Sequence, residues 1–146
     1  MSLSISVNGA TRVVEKIDGL EKLFANPRPA LEDIGDLIVS ETDKQFETSG
    51  SRFGKKWKKL KRATQIQKAK LGYGSKGILE RTGELRYGFK KDVARYKVTV
   101  SNPITYYKYH QLGMGYNPKR VMLDAPEKVK QDIIEILNKA IRGIIA

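Results

Sequence analysis

The sequence predicts an α+β fold: a small antiparallel sheet packed with several helices, ending in a long C-terminal helix. Three observations predict it. Short segments alternate with the period of half-buried strands: Leu3, Ile5 and Val7; Leu85, Tyr87 and Phe89; Tyr96, Val98 and Val100. Longer segments place apolar residues three and four apart, as amphipathic helices do. Strands and helices do not follow the β-α-β rhythm of a parallel sheet. With 146 residues, 40% of them hydrophobic, the chain has the length and the apolar content of a single domain, 1–146.

Each element has its own local reason. Leu3, Ile5 and Val7 form the first strand, and Asn8-Gly9 turns the chain after it. Val13, Ile17, Leu20 and Phe24 give a helix over 11–24. Asn26-Pro27 reads as an N-cap with proline at the first helical position, opening a second helix over about 27–47. Leu31, Ile34, Leu37 and Ile38 are its apolar stripe, and Glu32, Asp33, Asp36, Glu41 and Asp43 its acidic exposed side. Thr48-Ser49-Gly50-Ser51 ends it. A basic and glycine-rich segment, about 49–78, is expected to be flexible, with a short helix at Thr64–Leu71 and three glycines in Gly72–Gly77. The strands through Leu85–Phe89 and Tyr96–Val100 make a hairpin, turning near Asp92–Arg95. A short helix follows over about 103–112, and Val121-Met122-Leu123 reads as a short strand. Asp124 and Glu127 have capping-box spacing around Pro126. Val129, Ile133, Ile136, Leu137, Ala140, Ile141 and Ile144 then stripe the last helix.

Charge is the outstanding feature of the composition. The net charge is +12, and it is unevenly placed: −4 over residues 1–50, +13 over 51–100 and +3 over 101–146. Such a balance favours an acidic or polyanionic partner. There is no cysteine and one histidine, which excludes disulfide scaffolds, thiolate sites and a zinc site built on two imidazoles. No apolar run reaches the roughly 20 residues that span a bilayer, and the N-terminus does not read as a secretory signal. A soluble domain with no cofactor, no metal and no membrane contact is the expectation.

The strongest local signal lies between Ser51 and Arg62, where seven of twelve residues are basic and none is acidic. Arg52, Lys55, Lys56, Lys58, Lys59, Lys61 and Arg62 form a candidate surface for an anionic partner or for assembly. Trp57 reads as a buried anchor beneath them, because tryptophan is highly buried on average. On nucleic acid the same run would neutralise phosphates and bind in a salt-dependent way. Tyr106, Tyr107, Tyr109 and His110 crowd one short helix, so at least one tyrosine is expected to meet another chain.

Other constellations carry less. Gly72–Gly77 with Lys76 fails the spacing of a phosphate-binding loop. Glu80 and Glu84 stand four apart, but no nucleophile or metal cluster completes an acid–base site, and Thr82-Gly83 reads as a turn. His110 has no serine or carboxylate partner at a recognisable spacing. A nuclease would need clustered carboxylates or histidines, which the basic middle third lacks. The chain therefore reads as no enzyme.

Four segments resemble, in order, those of tailed-phage virion morphogenesis proteins. Gly54, Trp57, Leu60 and Thr64 are similar to a G-x-x-W-x-x-L-x-x-x-T stretch. Ile78-Leu79-Glu80-Arg81-Thr82-Gly83-Glu84-Leu85-Arg86 resembles I-L-x-x-T-G-x-L-R, and Tyr106 to Gly113 resembles Y-x-x-x-H-Q-x-G. Pro118 to Leu123 falls where the family has P-x-R-P-F-L, with Val121-Met122 in place of Pro-Phe. The resemblance implies a structural protein of tail completion or head–tail joining in a Mu-like phage or prophage. It implies a ring of copies at the tail or neck, partnered by other phage neck or tail proteins and carried in the virion after assembly in the host bacterial cytoplasm. The resemblance implies no catalytic residues. Trp57 and Leu60 would be anchors, and His110 to Gly113 a helix end. The alternative is a basic nucleic-acid-binding module; non-specific DNA contact fits both, since a neck ring surrounds a DNA passage.

Overall fold

The computed structural model describes residues 3–6, 21 and 23–145. The expected helix over 11–24 lies almost wholly outside them. Their contacts divide into two compact units: residues 40–89 with 102–124, and residues up to 39 with 90–101 and 125 onward.

The second unit holds the sheet. Strand β1 (Leu3–Ser6), strand β2 (Lys90–Val93) and strand β3 (Lys97–Ser101) are ordered β1-β3-β2, both pairings antiparallel. Leu3 stands opposite Val100 and Ile5 opposite Val98; on the other side Lys91 stands opposite Val100 and Val93 opposite Val98. Alternation in β3 buries Val98 and Val100 completely. Helix α1 (Arg28–Glu47) supplies Ala30, Leu31, Ile34 and Ile38 to the same core. It begins one residue later than expected: the Pro27 carbonyl accepts the Leu31 N–H at 3.0 Å, so proline stands at the cap. The edge strand β2 carries a charge on its covered face: Lys91 reaches Glu32 and Asp36, each at 2.6 Å. A lysine there discourages edge-to-edge pairing, and its long stem lets the ammonium reach the acids.

Helix α5 (Glu127–Ile145) opens with the Pro126 carbonyl accepting the Lys130 N–H at 3.0 Å. The helix thus opens at Pro126. Val129 and Ile133 are buried, whereas Ile136, Leu137, Ala140 and Ile141 are only half-buried.

The first unit is built on aromatic edges. Phe46 meets Trp57 edge-on at 5.1 Å and Phe89 at 6.3 Å, and Phe89 meets Tyr107 at 5.7 Å. A 3-10 turn at Ser51–Phe53 follows α1; helix α2 (Arg62–Lys70), helical turn α3 (Glu84–Tyr87) and helix α4 (Tyr107–Leu112) complete the unit.

Two expected strands are corrected here. Leu85, Tyr87 and Phe89 do not alternate along a strand. Residues 84–87 turn as a helix that buries Leu85 and leaves Tyr87 74% exposed, and Phe89, two residues beyond the turn, is buried as well. The Asn102 side chain fixes this turn by donating to the Leu85 carbonyl at 2.9 Å. The hairpin is Lys90–Val93 with Lys97–Ser101. Val121-Met122-Leu123 joins no ladder among the described residues, and the chain bends at Leu123. Side chains take the place of a neighbouring strand. Gln111 Oε1 accepts the N–H groups of Met122 (2.8 Å) and Leu123 (3.2 Å), and its Nε2 donates to the Leu123 carbonyl at 2.8 Å. The Val121 carbonyl accepts from Gln45 Nε2 at 2.6 Å and from Trp57 Nε1 at 2.9 Å.

Candidate functional site

The basic segment divides by role. Arg52 turns back to Glu41, which is 1% exposed, with Nε at 2.5 Å and Nη2 at 3.0 Å; Lys44 holds the same carboxylate at 2.9 Å. The Arg52 hydrogen bonds, and secondarily Lys44, hold the Glu41 carboxyl below its usual range despite its burial. Arg52 is therefore a fold contact, and Glu41 is not on the exposed acidic side where periodicity placed it. Trp57 is 5% exposed, as expected of an anchor. Lys55, Lys56, Lys58, Lys59, Lys61 and Arg62 are exposed.

Lys58, Lys59 and Lys61 line a cleft of about 610 Å³ that lies within the first unit. Lys68 of α2, Arg81 and Arg120 line it as well, and among the described residues no acidic side chain does. Lys55, Lys56 and Arg62 are not part of it. The Arg81 guanidinium stands 5.3 Å from the Tyr73 ring centre. Lys68 Nζ donates to the carbonyls of Lys76 (3.0 Å) and Gly77 (2.9 Å), tying the glycine loop to α2, and burial lowers its proton affinity.

Arg120 is the most buried of the cleft's cations, 5% exposed. Its backbone N–H donates to the His110 carbonyl at 2.8 Å; Nε and Nη2 donate to the Lys58 carbonyl at 3.1 and 2.8 Å. Among the described residues no carboxylate pairs with it, and burial pulls its pKa down. Beside it the His110 imidazole is half-buried, with Nδ1 enclosed and without a hydrogen-bond partner among the described residues. Burial, and then the positive charge of Arg120, hold His110 below its ordinary value. Leu60, Leu71, Leu79 and Pro118 give the cleft apolar walls, and Tyr116 stands fully exposed at its rim.

The tyrosines separate by depth. Tyr107 is buried and its hydroxyl has no partner among the described residues; burial raises its pKa. Tyr106 and Tyr109 are 38% and 40% exposed. The Tyr106 hydroxyl donates to Glu84 at 2.6 Å, and Glu80 pairs with Arg86, which also holds Asp43 at 2.6 Å and Glu47 at 3.3 Å. Glu80 and Glu84, the two carboxylates with acid–base spacing, are thus both engaged in the fold. Among the described residues no group of three or more histidines and carboxylates could hold a metal ion, and no helix is long and apolar enough to cross a membrane.

Sequence reasoning singles out three of the cleft's cations and misses Lys68, Arg81 and Arg120 as members of the same site. They come from distant parts of the chain, and no local pattern joins them. It misses Gln45 too, whose signal is a polar residue on the buried face of α1, beside Thr42 and Phe46.

The model of the phage virion morphogenesis family matches residues 9–142 of the chain. No curated protein and no solved structure gives a significant match.

Proposed function

The chain belongs to the phage virion morphogenesis family, a structural and not a catalytic family, and on that premise we propose that it acts in tail completion or head–tail joining. In this reading copies of the chain close into a ring, assemble with other neck or tail proteins in the host bacterial cytoplasm, and remain in the virion. The observation that carries the reading is the family match over residues 9–142.

The surface chemistry supports it. Exposed tyrosines, among them Tyr87, Tyr106 and Tyr109, are large amphipathic groups suited to contact between chains. Lys55, Lys56, Lys58, Lys59, Lys61 and Arg62 offer a basic assembly surface, and in a closed ring such a surface would also suit passing DNA. Head-to-tail contacts that close make rings.

Removing the gene from the phage tests this. Heads and tails are expected to accumulate unjoined or with unfinished tail ends, and supplying the protein is expected to restore infectious particles. Electron microscopy of the purified protein with tail tubes is expected to show a ring at one tube end. Normal virions from the deletion would overturn the reading.

A further inference from the structure

We propose that the cleft over Arg120 is a binding site for an acidic, partly apolar peptide segment of another virion protein. The proposal deepens the assembly reading by naming the chemistry of a partner, and it rests on that reading for the partner's origin.

Three features carry it. The first is Arg120 itself. A guanidinium 5% exposed, lining the cleft and bound to the Lys58 carbonyl, has no carboxylate in the described residues to balance it. Its Nε and Nη2 hold the Lys58 carbonyl on one edge, and the remaining Nη donors can meet a carboxylate in a charge-assisted bond. The second is the lining. Lys58, Lys59, Lys61, Lys68 and Arg81 surround Arg120 with positive charge, while Leu60, Leu71, Leu79 and Pro118 offer aliphatic surface. A volume of about 610 Å³ admits a few side chains. The third is His110, which lines the same cleft and whose enclosed Nδ1 has no partner among the described residues. Burial first, and then the positive charge of Arg120, favour its neutral form, and a bound carboxylate would relieve the second of these.

The chemistry favours peptide over nucleic acid. A sugar–phosphate chain brings charge but nothing to fill aliphatic walls, and single strands are held by successive aromatic platforms. Among the described residues Tyr116 is the one tyrosine in this lining. The chain's own acidic helix is a poor occupant. On α1, Glu32, Asp36, Glu41, Asp43 and Glu47 already hold Arg28, Lys44, Arg52, Arg86 or Lys91.

Calorimetric titration of the full chain with a short peptide of alternating glutamate and leucine tests the proposal, with hexaglutamate and a single-stranded DNA oligonucleotide as the other probes. The mixed peptide is expected to bind more tightly than either. Lys59→Glu combined with Arg81→Glu is expected to weaken it at least about tenfold. Lys55→Glu combined with Lys56→Glu makes the same charge change outside the cleft and is expected to weaken it less than about threefold. Arg120→Lys keeps the charge but loses the fork and is expected to cost about tenfold in affinity, provided that the thermal midpoint shows it folded. No saturable peptide binding, equal losses from both double variants, or tighter and cleft-dependent binding of the oligonucleotide would each overturn the proposal. Because binding is read on purified protein and ring assembly on phage particles, either reading can fail while the other stands.

Discussion

Gly50 shows how much one residue decides. It follows α1 with φ of 98°, and a Cβ built on it would lie 2.5 Å from the Lys55 carbonyl oxygen and 2.6 Å from Trp57 Cδ1. The turn that seats Trp57 against Phe46 therefore needs both a left-handed backbone and an absent side chain. Gly50→Ala is expected to lower unfolding free energy by about 2–4 kcal/mol, from backbone strain and overpacking together. Gly54→Ala has a similar φ of 94° but open space around the new methyl. It is expected to cost only the strain, on the order of 1 kcal/mol. Urea denaturation of the two variants checks the difference. At this scale the sequence is partly legible. A tryptophan among lysines reads as an anchor on burial statistics alone, whereas the pairing of buried Glu41 with half-buried Arg52 depends on a return of the chain that no local spacing encodes.

At the scale of elements, periodicity identifies α1 and α5 because long stripes leave few alternatives. It fails for short pieces. Leu85 and Phe89 satisfy a strand's alternation and a helix's four-residue step equally, and Asn102, from farther along the chain, selects the helical turn. Residues 121–123 have strand-like composition, yet their backbone partners are the side chains of Gln111, Gln45 and Trp57. Gln111→Leu is expected to strand two N–H groups and one carbonyl in a buried place, at about 1–3 kcal/mol for each group that water does not reach. Hydrogen exchange checks it: the amides of Met122 and Leu123 are expected to lose protection before those of β3.

For the whole molecule, fold class and family are both legible, the first from mixed periodicities and the second from four ordered motifs. Those motifs make physical sense together, since Trp57, Gln111 and Arg120 each donate to the backbone of another of the four segments. The cleft is not legible, because it is assembled from segments that only the fold brings together. Acid stability belongs to this scale too. His110 has a folded value below its ordinary 6.5, so the folded chain binds fewer protons there than the unfolded chain as pH drops below that value. Stability is expected to be full above about pH 6.5 and to decline as pH falls from there toward the folded value. Glu41, also lowered, contributes above its unfolded value of 4.5 and adds a second loss as pH falls through its folded value. Thermal midpoints across this range are expected to fall in two stages, and His110→Gln to flatten the upper one.

Trp57 gives the molecule an optical property of its own. It is the single tryptophan of the chain, and its indole donates to the Val121 carbonyl in the first compact unit. Emission from that ring senses one unit alone, whereas circular dichroism sums the helices of both. Coincident melting curves would show the two units unfolding in one transition, and separated curves would show the first unit unfolding on its own.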